Sequence, residues 1–342
     1  VTLRDVAKKA GVSHATVSLS FRNHHSIPEA RRRQILKVAE EMGYRPDPML
    51  SALAEYRRNS RRQTVQSALG WLNCWRPPGQ LRKFREFDLY WQGAARAAER
   101  LGYHLEEMVW APECSARRME QILLTRGIRG LLIPPHPATP EWGDFDWSKF
   151  SAIRFGMGVR TPQANLVTAD QQRAVLMAFE KMHQYGYRRI GLVTSRDFDA
   201  RLGGNYIGGF AAAQELLGFR QLLPPLLLES SAQGETRAPT KEAIKTWLAA
   251  QHPDAILTTE LEVPGLIQEL GYEIPRDVAV AGTGADVPVD AGINQNSEAI
   301  GQVAVESLVA LIKMNLCGQP AFPCRVLVES TWQDGKSLPS RR

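Results

Sequence analysis

After residue 66 the chain alternates between short apolar runs and longer amphipathic stretches, and this alternation restricts the fold more than any other feature. Ala68–Leu72, His104–Val109, Gly130–Ile133, Ala152–Phe155, Asn165–Thr168, Ile190–Thr194, Ala255–Thr258 and Val278–Gly282 have the length and composition of strands. Tyr90–Leu101, Arg117–Thr125, Gln172–Tyr185, Tyr206–Leu217, Thr240–Ala250 and Glu298–Met314 carry helical spacing between them. Strands joined through helices run parallel, because a crossover returns the chain to the same end of the sheet. The pattern therefore predicts an α/β architecture of doubly wound parallel sheets, and the length from 66 to 342 accommodates two such lobes.

The first 65 residues read differently. They hold 13 Lys/Arg against 6 Asp/Glu, a balance of +7. The other 29 basic and 30 acidic residues of the chain balance to −1, so the excess positive charge sits on one small segment. A compact segment this basic points to a polyanion partner. Within it, Thr2 and Asp5 form a capping-box pair for a short helix whose apolar face is Leu3, Val6, Ala7 and Ala10. Gly11 ends that helix, and Ser13 caps a second one running to about Phe21. A third helix follows, with Ser26 and Glu29 as a capping box, Pro28 in its first turn and Ile35, Val38, Ala39 and Met42 as its buried stripe. Helix, glycine turn, helix is a helix-turn-helix pattern. Its second helix, "HATVSLSF", is small and hydroxyl-rich, as suits a helix that lies in the major groove. Val17 points to the core, leaving His14, Ala15, Thr16, Ser18 and Leu19 for DNA.

The stretch "YRPDPMLSALAEY" offers Asp47 as a cap and Pro48 at the first helical position, with one or two turns over Met49–Ala54. So short a helix is marginal alone. Leu50 and Leu53, followed by Arg57, Arg58, Arg61 and Arg62, favour a DNA-linked role over a plain linker.

Enzyme signatures are missing: there is no GxSxG, HExxH or P-loop pattern, and the glycines of "GTGAD" and "GGNYIGG" suit turns. The chain is read as a non-enzyme without cofactor or metal site. Cys74, Cys114, Cys317 and Cys324 show no CxxC pair and read as reduced thiols in or near cores. No apolar run approaches the ~20 residues that span a bilayer. The chain opens at Val1 without a signal-peptide pattern, which reads as a cytoplasmic protein.

"TLRDVAKKAGVSHATVSLSFRN" and "IPEARRRQILKVAEEMGYRPDPMLSALA" together resemble the lactose/galactose-repressor family of bacterial transcription regulators. "GIRGLLIP", "YIGGFAAAQELLGF", "PDAILTT", "EIPRDVAVAG" and "INQNSEAIGQVAVESLVALI" extend the likeness along nearly the whole chain. The resemblance implies a helix-turn-helix headpiece (1–46), a hinge helix and linker (47–65) and a two-lobed, type I periplasmic-binding-protein-like effector domain (66–342). The lobes would comprise about 66–158 with 286–322, and about 159–285 with 323–335. It further implies a homodimer on a pseudo-palindromic double-stranded operator, acting most often as a repressor, with a small-molecule effector between the lobes. By position, His14, Ala15 and Leu19 would read bases, and Thr2, Thr16, Ser18, Arg22 and Ser26 would meet phosphates. Leu53, flanked by Leu50 and Ala54, would wedge the minor groove.

The effector candidates are Trp75, His136, Tyr206, Glu260 and Gln295. Gln295 matches the family pattern. Tyr206 stands where sugar-binding members usually have arginine, Gly284 where they usually have aspartate, Glu260-Leu261 replaces Asn-Asp, and Ser297 replaces an apolar or aromatic residue. Carbohydrate is the family's usual effector, but a pyranose needs bidentate partners for its hydroxyl pairs. A regulator whose cleft no longer binds a sugar is the alternative, ahead of a solute-binding protein.

Overall fold

A computed structural model describes residues 2–21, 26–44, 67–219, 223–229 and 237–341. The chain opens with helix α1 (Leu3–Ala10), where Thr2 N–H donates to Asp5 Oδ2 at 2.7 Å and Asp5 N–H to Thr2 Oγ1 at 3.3 Å, the reciprocal cap expected. Gly11 adopts φ 62°, which brings Val12 N–H to the Ala7 carbonyl at 3.1 Å. Ser13 Oγ then accepts Thr16 N–H at 3.1 Å and starts α2 (His14–Phe21). In α3 (Glu29–Glu41) the expected Ser26–Glu29 capping box is not formed. Pro28 is the cap residue, without a side-chain bond, and Glu29 becomes the first helical residue, facing Arg33 at 3.8 Å. The core of this unit is Val6, Ala7, Val17, Ile35 and Ala39, with Leu3, Ala10, Val12, Phe21, Val38, Met42 and Tyr44 packed around it.

The first lobe holds a six-stranded sheet in the order β11-β5-β4-β3-β1-β2, with every described pair parallel. Its strands are β1 (Ser67–Asn73), β2 (Tyr103–Val109), β3 (Gly130–Ile133), β4 (Ser151–Phe155), β5 (Asn165–Ala169) and β11 (Arg325–Val328). Along β1, Leu69 and Trp71 face α4 (Arg85–Arg100) and α11 (Ser297–Lys313), whereas Leu72 faces the side covered by α5 (Ala116–Thr125). α4 and α11 cross at touching backbones: a Cβ on Gly93 would overlap the Glu298 carbonyl, and one on Gly301 the Tyr90 carbonyl.

The second lobe holds the sheet β12-β10-β9-β8-β6-β7. Its strands are β6 (Ile190–Ser195), β7 (Leu226–Leu228), β8 (Ala255–Thr258), β9 (Ala279–Gly282), β10 (Gly292–Asn294) and β12 (Thr331–Gln333), and only β12 runs antiparallel to its neighbour among the described pairs. Helices α6 (Gln171–Gln184) and α8 (Asn205–Leu216) cover one face, α9 (Arg237–Gln251) and α10 (Val263–Glu269) the other, and α7 (Arg196–Arg201) follows β6.

Three crossovers join the lobes, each later in the chain than expected. β5 (Asn165–Ala169) pairs with β4 and β11, so the chain leaves the first lobe near 170 rather than 158. β10 still belongs to the second sheet, which moves the return from 285 to about 295. β11 belongs to the first, moving the last crossing from 322 to about 329. Short strands bounded by turns carry no label of the sheet they will join; pairing decides it. All four cysteines are free, but Cys317 and Cys324 are exposed rather than packed.

Candidate nucleic-acid interface and effector cleft

On α2, Val17 is wholly buried and Ser20 donates to the Thr16 carbonyl at 2.8 Å, so these two residues anchor the helix. His14 and Ala15 are exposed at its N-terminus, and Thr16, Ser18 and Leu19 are partly exposed on the same helix. Thr16 Oγ1 shares a hydrogen bond with Ser13 Oγ at 2.9 Å. Thr2 and Ser26 are exposed, and the Thr2 hydroxyl is already bound to Asp5 at 2.9 Å. Lys8 and Lys9 close α1 on its exposed side, and Arg31 is exposed at the start of α3. A first helical turn bearing small exposed side chains amid cations is what groove entry demands. Arg22, Leu50, Leu53 and Ala54 lie outside the described residues.

Trp75, His136, Glu260 and Gln295 follow strand ends, where ligands of parallel sheets bind, and Tyr206 opens helix α8; the five gather in three separate groups. Trp75, after β1, packs against Phe84, Phe87 and His136 with ring centroids 5.5, 6.3 and 6.3 Å away. Its indole N–H donates to the Pro135 carbonyl at 2.8 Å. His136 is buried with both ring nitrogens engaged: Nε2 accepts Cys74 N–H at 3.0 Å, so the proton sits on Nδ1, 2.8 Å from the Pro134 carbonyl. This histidine ties the loop after β3 to the loop after β1. Glu260, after β8, accepts Ser195 N–H at 2.8 Å and the Thr259 hydroxyl at 2.7 Å.

Burial, with Arg76 nearby, pushes the His136 pKa down from 6.5 to about 4, against the opposing hydrogen bond to Pro134. Between those two values the unfolded chain binds a proton that the fold refuses, so stability falls as pH drops through this window. The loss should reach ~3 kcal/mol by about pH 4. Denaturant unfolding of wild type and His136→Gln checks this; equal acid sensitivity in both would reject it.

Tyr206 and Gln295 form the third group. Tyr206 is buried, its position set by Asp199, whose Oδ1 accepts Tyr206 N–H at 2.8 Å. Gln295 donates to the Thr283 carbonyl at 2.9 Å, and Thr283 and Gln295 lie beside the Tyr206 hydroxyl. Burial first, and then the Glu86 charge, drive the Tyr206 pKa upward, so the phenol stays neutral. Tyr90 is likewise buried and raised, by burial and then Glu86, and stacks on Phe155 at 5.3 Å. Sequence reasoning missed Glu86. It is a carboxylate in the first turn of α4 inside the aromatic run "FREFDLYW", and nothing in its spacing advertises a cleft residue. A cavity of about 180 Å³ adjoins it, lined by Arg85, Glu86, Gly284, Ala285, Asn294 and Ser297 among others.

A family model described as bacterial regulatory proteins, lacI family, matches residues 2–47, and one for a periplasmic binding protein-like domain matches 179–338. The probable repressor ExuR of Bacillus subtilis is 43% identical over 54 residues, 16% of each chain. The transcriptional repressor CytR of Escherichia coli is 26% identical over 201 residues, covering 56% of this chain and 53% of CytR. The matched segments thus span about half or less of these two relatives, whereas MelR of Bacillus subtilis, at 23% identity, is covered over 80% of its length. Among solved structures, a transcriptional regulator CelR–cellobiose complex superposes with TM-score 0.59 at 20% identity over 98% of this chain and 99% of that one. The lac repressor dimer bound to operator and the anti-inducer ONPF superposes with TM-score 0.56 at 17% identity over 99% of each. The two models stand in order along the chain, so it carries a DNA-binding headpiece of the lacI type at residues 2–47 ahead of a periplasmic binding protein-like domain.

Proposed function

We propose that this chain is a sequence-specific DNA-binding transcription repressor that works as a homodimer on a pseudo-palindromic operator, with affinity modulated by a small molecule between its lobes. The observation that carries the reading is the α2 helix: buried Val17 fixes it while His14 and Ala15 stand exposed at its entry turn. Phosphate neutralisation supplies affinity, and the exposed turn supplies sequence preference. His14, Ala15 and Leu19 are the base readers, and Thr2, Thr16, Ser18, Arg22 and Ser26 the phosphate contacts. Leu53, with Leu50 and Ala54, is the minor-groove wedge.

Selection from random duplexes followed by fluorescence anisotropy tests it. His14→Ala should weaken the selected sequence by about 1–3 kcal/mol while leaving random DNA within about twofold. Equal loss on both would reject base reading by this helix.

Cellobiose in the CelR complex makes a carbohydrate the first effector to try. One observation favours the alternative of a cleft that no longer binds a sugar: all five candidate side chains already have protein partners. A ligand present at about 100 times its Kd adds ~2.7 kcal/mol to the native state. Thermal shift with cellobiose and a sugar panel separates the two; no shift beside intact operator binding supports the second.

A further inference from the structure

Two carboxylates are exchanged between the lobes at the cleft floor. From the first lobe, Glu86 Oε1 accepts Ala285 N–H at 2.5 Å, and its other oxygen accepts the Ser297 hydroxyl. From the loop after β9, Asp286 accepts Arg85 N–H at 2.7 Å and Glu86 N–H at 3.4 Å. Those amides open α4, whose own cap residue Phe84 offers no side-chain bond, so Asp286 satisfies a helix end that would otherwise lack an acceptor. Gly284 lies between them. A Cβ there would stand 2.5 Å from Glu86 Oε1 and 2.9 Å from Gln295 Nε2. Residue 284 is thus glycine because a carboxylate from the opposite lobe occupies its side-chain space.

We propose that Glu86 is a built-in occupant of the effector cleft, clasping α4 to the 283–286 loop and setting the closed–open equilibrium that effector and operator share. This rests on the reading of the cleft as the effector site. Each end of the clasp holds the other, since loss of Glu86 frees the Ala285 amide and loss of Asp286 uncaps the helix that presents Glu86. The charged and titratable groups facing Glu86 are Asp286 from the loop, Arg85 and Tyr90 on its own helix, and Tyr206 from α8. Burial, then Asp286, raise the Glu86 pKa above its ordinary 4.5 despite the Ser297 and Ala285 donors. Opening returns the group to water and to its ordinary value, so the closed state binds the proton more tightly. Closure is therefore strongest in acid and weakens as pH rises through the raised value.

Hydrogen–deuterium exchange on the full-length protein reads the clasp without any ligand, in peptides covering 85–88 and 283–287. After correction for intrinsic rates, wild-type protection should fall as pH rises above the ordinary carboxylate range. Glu86→Gln should flatten that profile. Gly284→Ala, which displaces the carboxylate without deleting it, should raise exchange in both peptides by about tenfold or more. Both variants should also shift operator affinity. A pH-independent wild type, or protection unchanged in Gly284→Ala, overturns the clasp. Raised exchange with unaltered operator affinity overturns its link to DNA. Failure of the wild type to bind any duplex is a separate result, against the functional reading itself.

Discussion

Ile35→Ala is expected to abolish operator binding while leaving the melting of the two lobes unchanged. Ile35 is wholly buried in a core that, among the described residues, holds five buried side chains shared by three short helices. Truncating a buried isoleucine costs about 2–5 kcal/mol, transfer and cavity terms together. A unit this small draws no more than about 3–5 kcal/mol from its core. The headpiece then loses most of its native population, and α2, which owes its orientation to Val17 in the same cluster, loses its frame. Anisotropy with the selected operator and a two-transition thermal melt check the result. Operator affinity within about threefold of wild type would mean that the headpiece is held by more than this cluster.

Gly301→Ala should destabilise the first lobe by about 2 kcal/mol, although the same change in an exposed helix interior stabilises by about 1 kcal/mol. The sign is the test. α4 and α11 cross with Gly93 and Gly301 each against the backbone of the other helix, and a carbonyl cannot rotate aside as a side chain can. The helices must separate and strip contacts from Ala94, Ile300, Ala304 and Val305. At about 2–4 °C per kcal/mol for a domain of this size, the melting temperature should drop by ~4–8 °C. A rise would show that the crossing has slack.

Local rules made much of this legible in advance. The Thr2–Asp5 cap, the Gly11 turn and the Ser13 cap each involve residues within a few positions, so the amino acids themselves carry the information. Seven interior strands were also readable, because residues such as Ala255, Ile256 and Leu257 are buried on both faces and read as continuous apolar runs. Of the edge strands the seven-residue Tyr103–Val109 was readable; the shorter ones and the crossover strand Gly292–Asn294 were not. Arg325–Val328 pairs on one side only and is largely exposed, and Gly292–Asn294 has three residues and a glycine. The polar helix Arg196–Arg201 shows no apolar stripe because it caps a strand end instead of covering a sheet.

The effector site divides along the same line. The family resemblance was enough to pick Tyr206 and Gln295, which do converge, and the candidate list also held Trp75 and His136, which pack together. They could not disclose that His136 is consumed in joining two loops, nor that Glu86 stands in the space of residue 284, since the Glu86 and Asp286 partners lie 200 positions apart. Helix ends, turns and strand periodicity arise from contacts within a few residues, so the order of amino acids alone determines a basic three-helix reader followed by two parallel-sheet lobes. Which sheet each short strand joins, where the chain crosses between lobes and which carboxylate fills the cleft depend on pairing and packing between distant segments, and only the tertiary structure decides those.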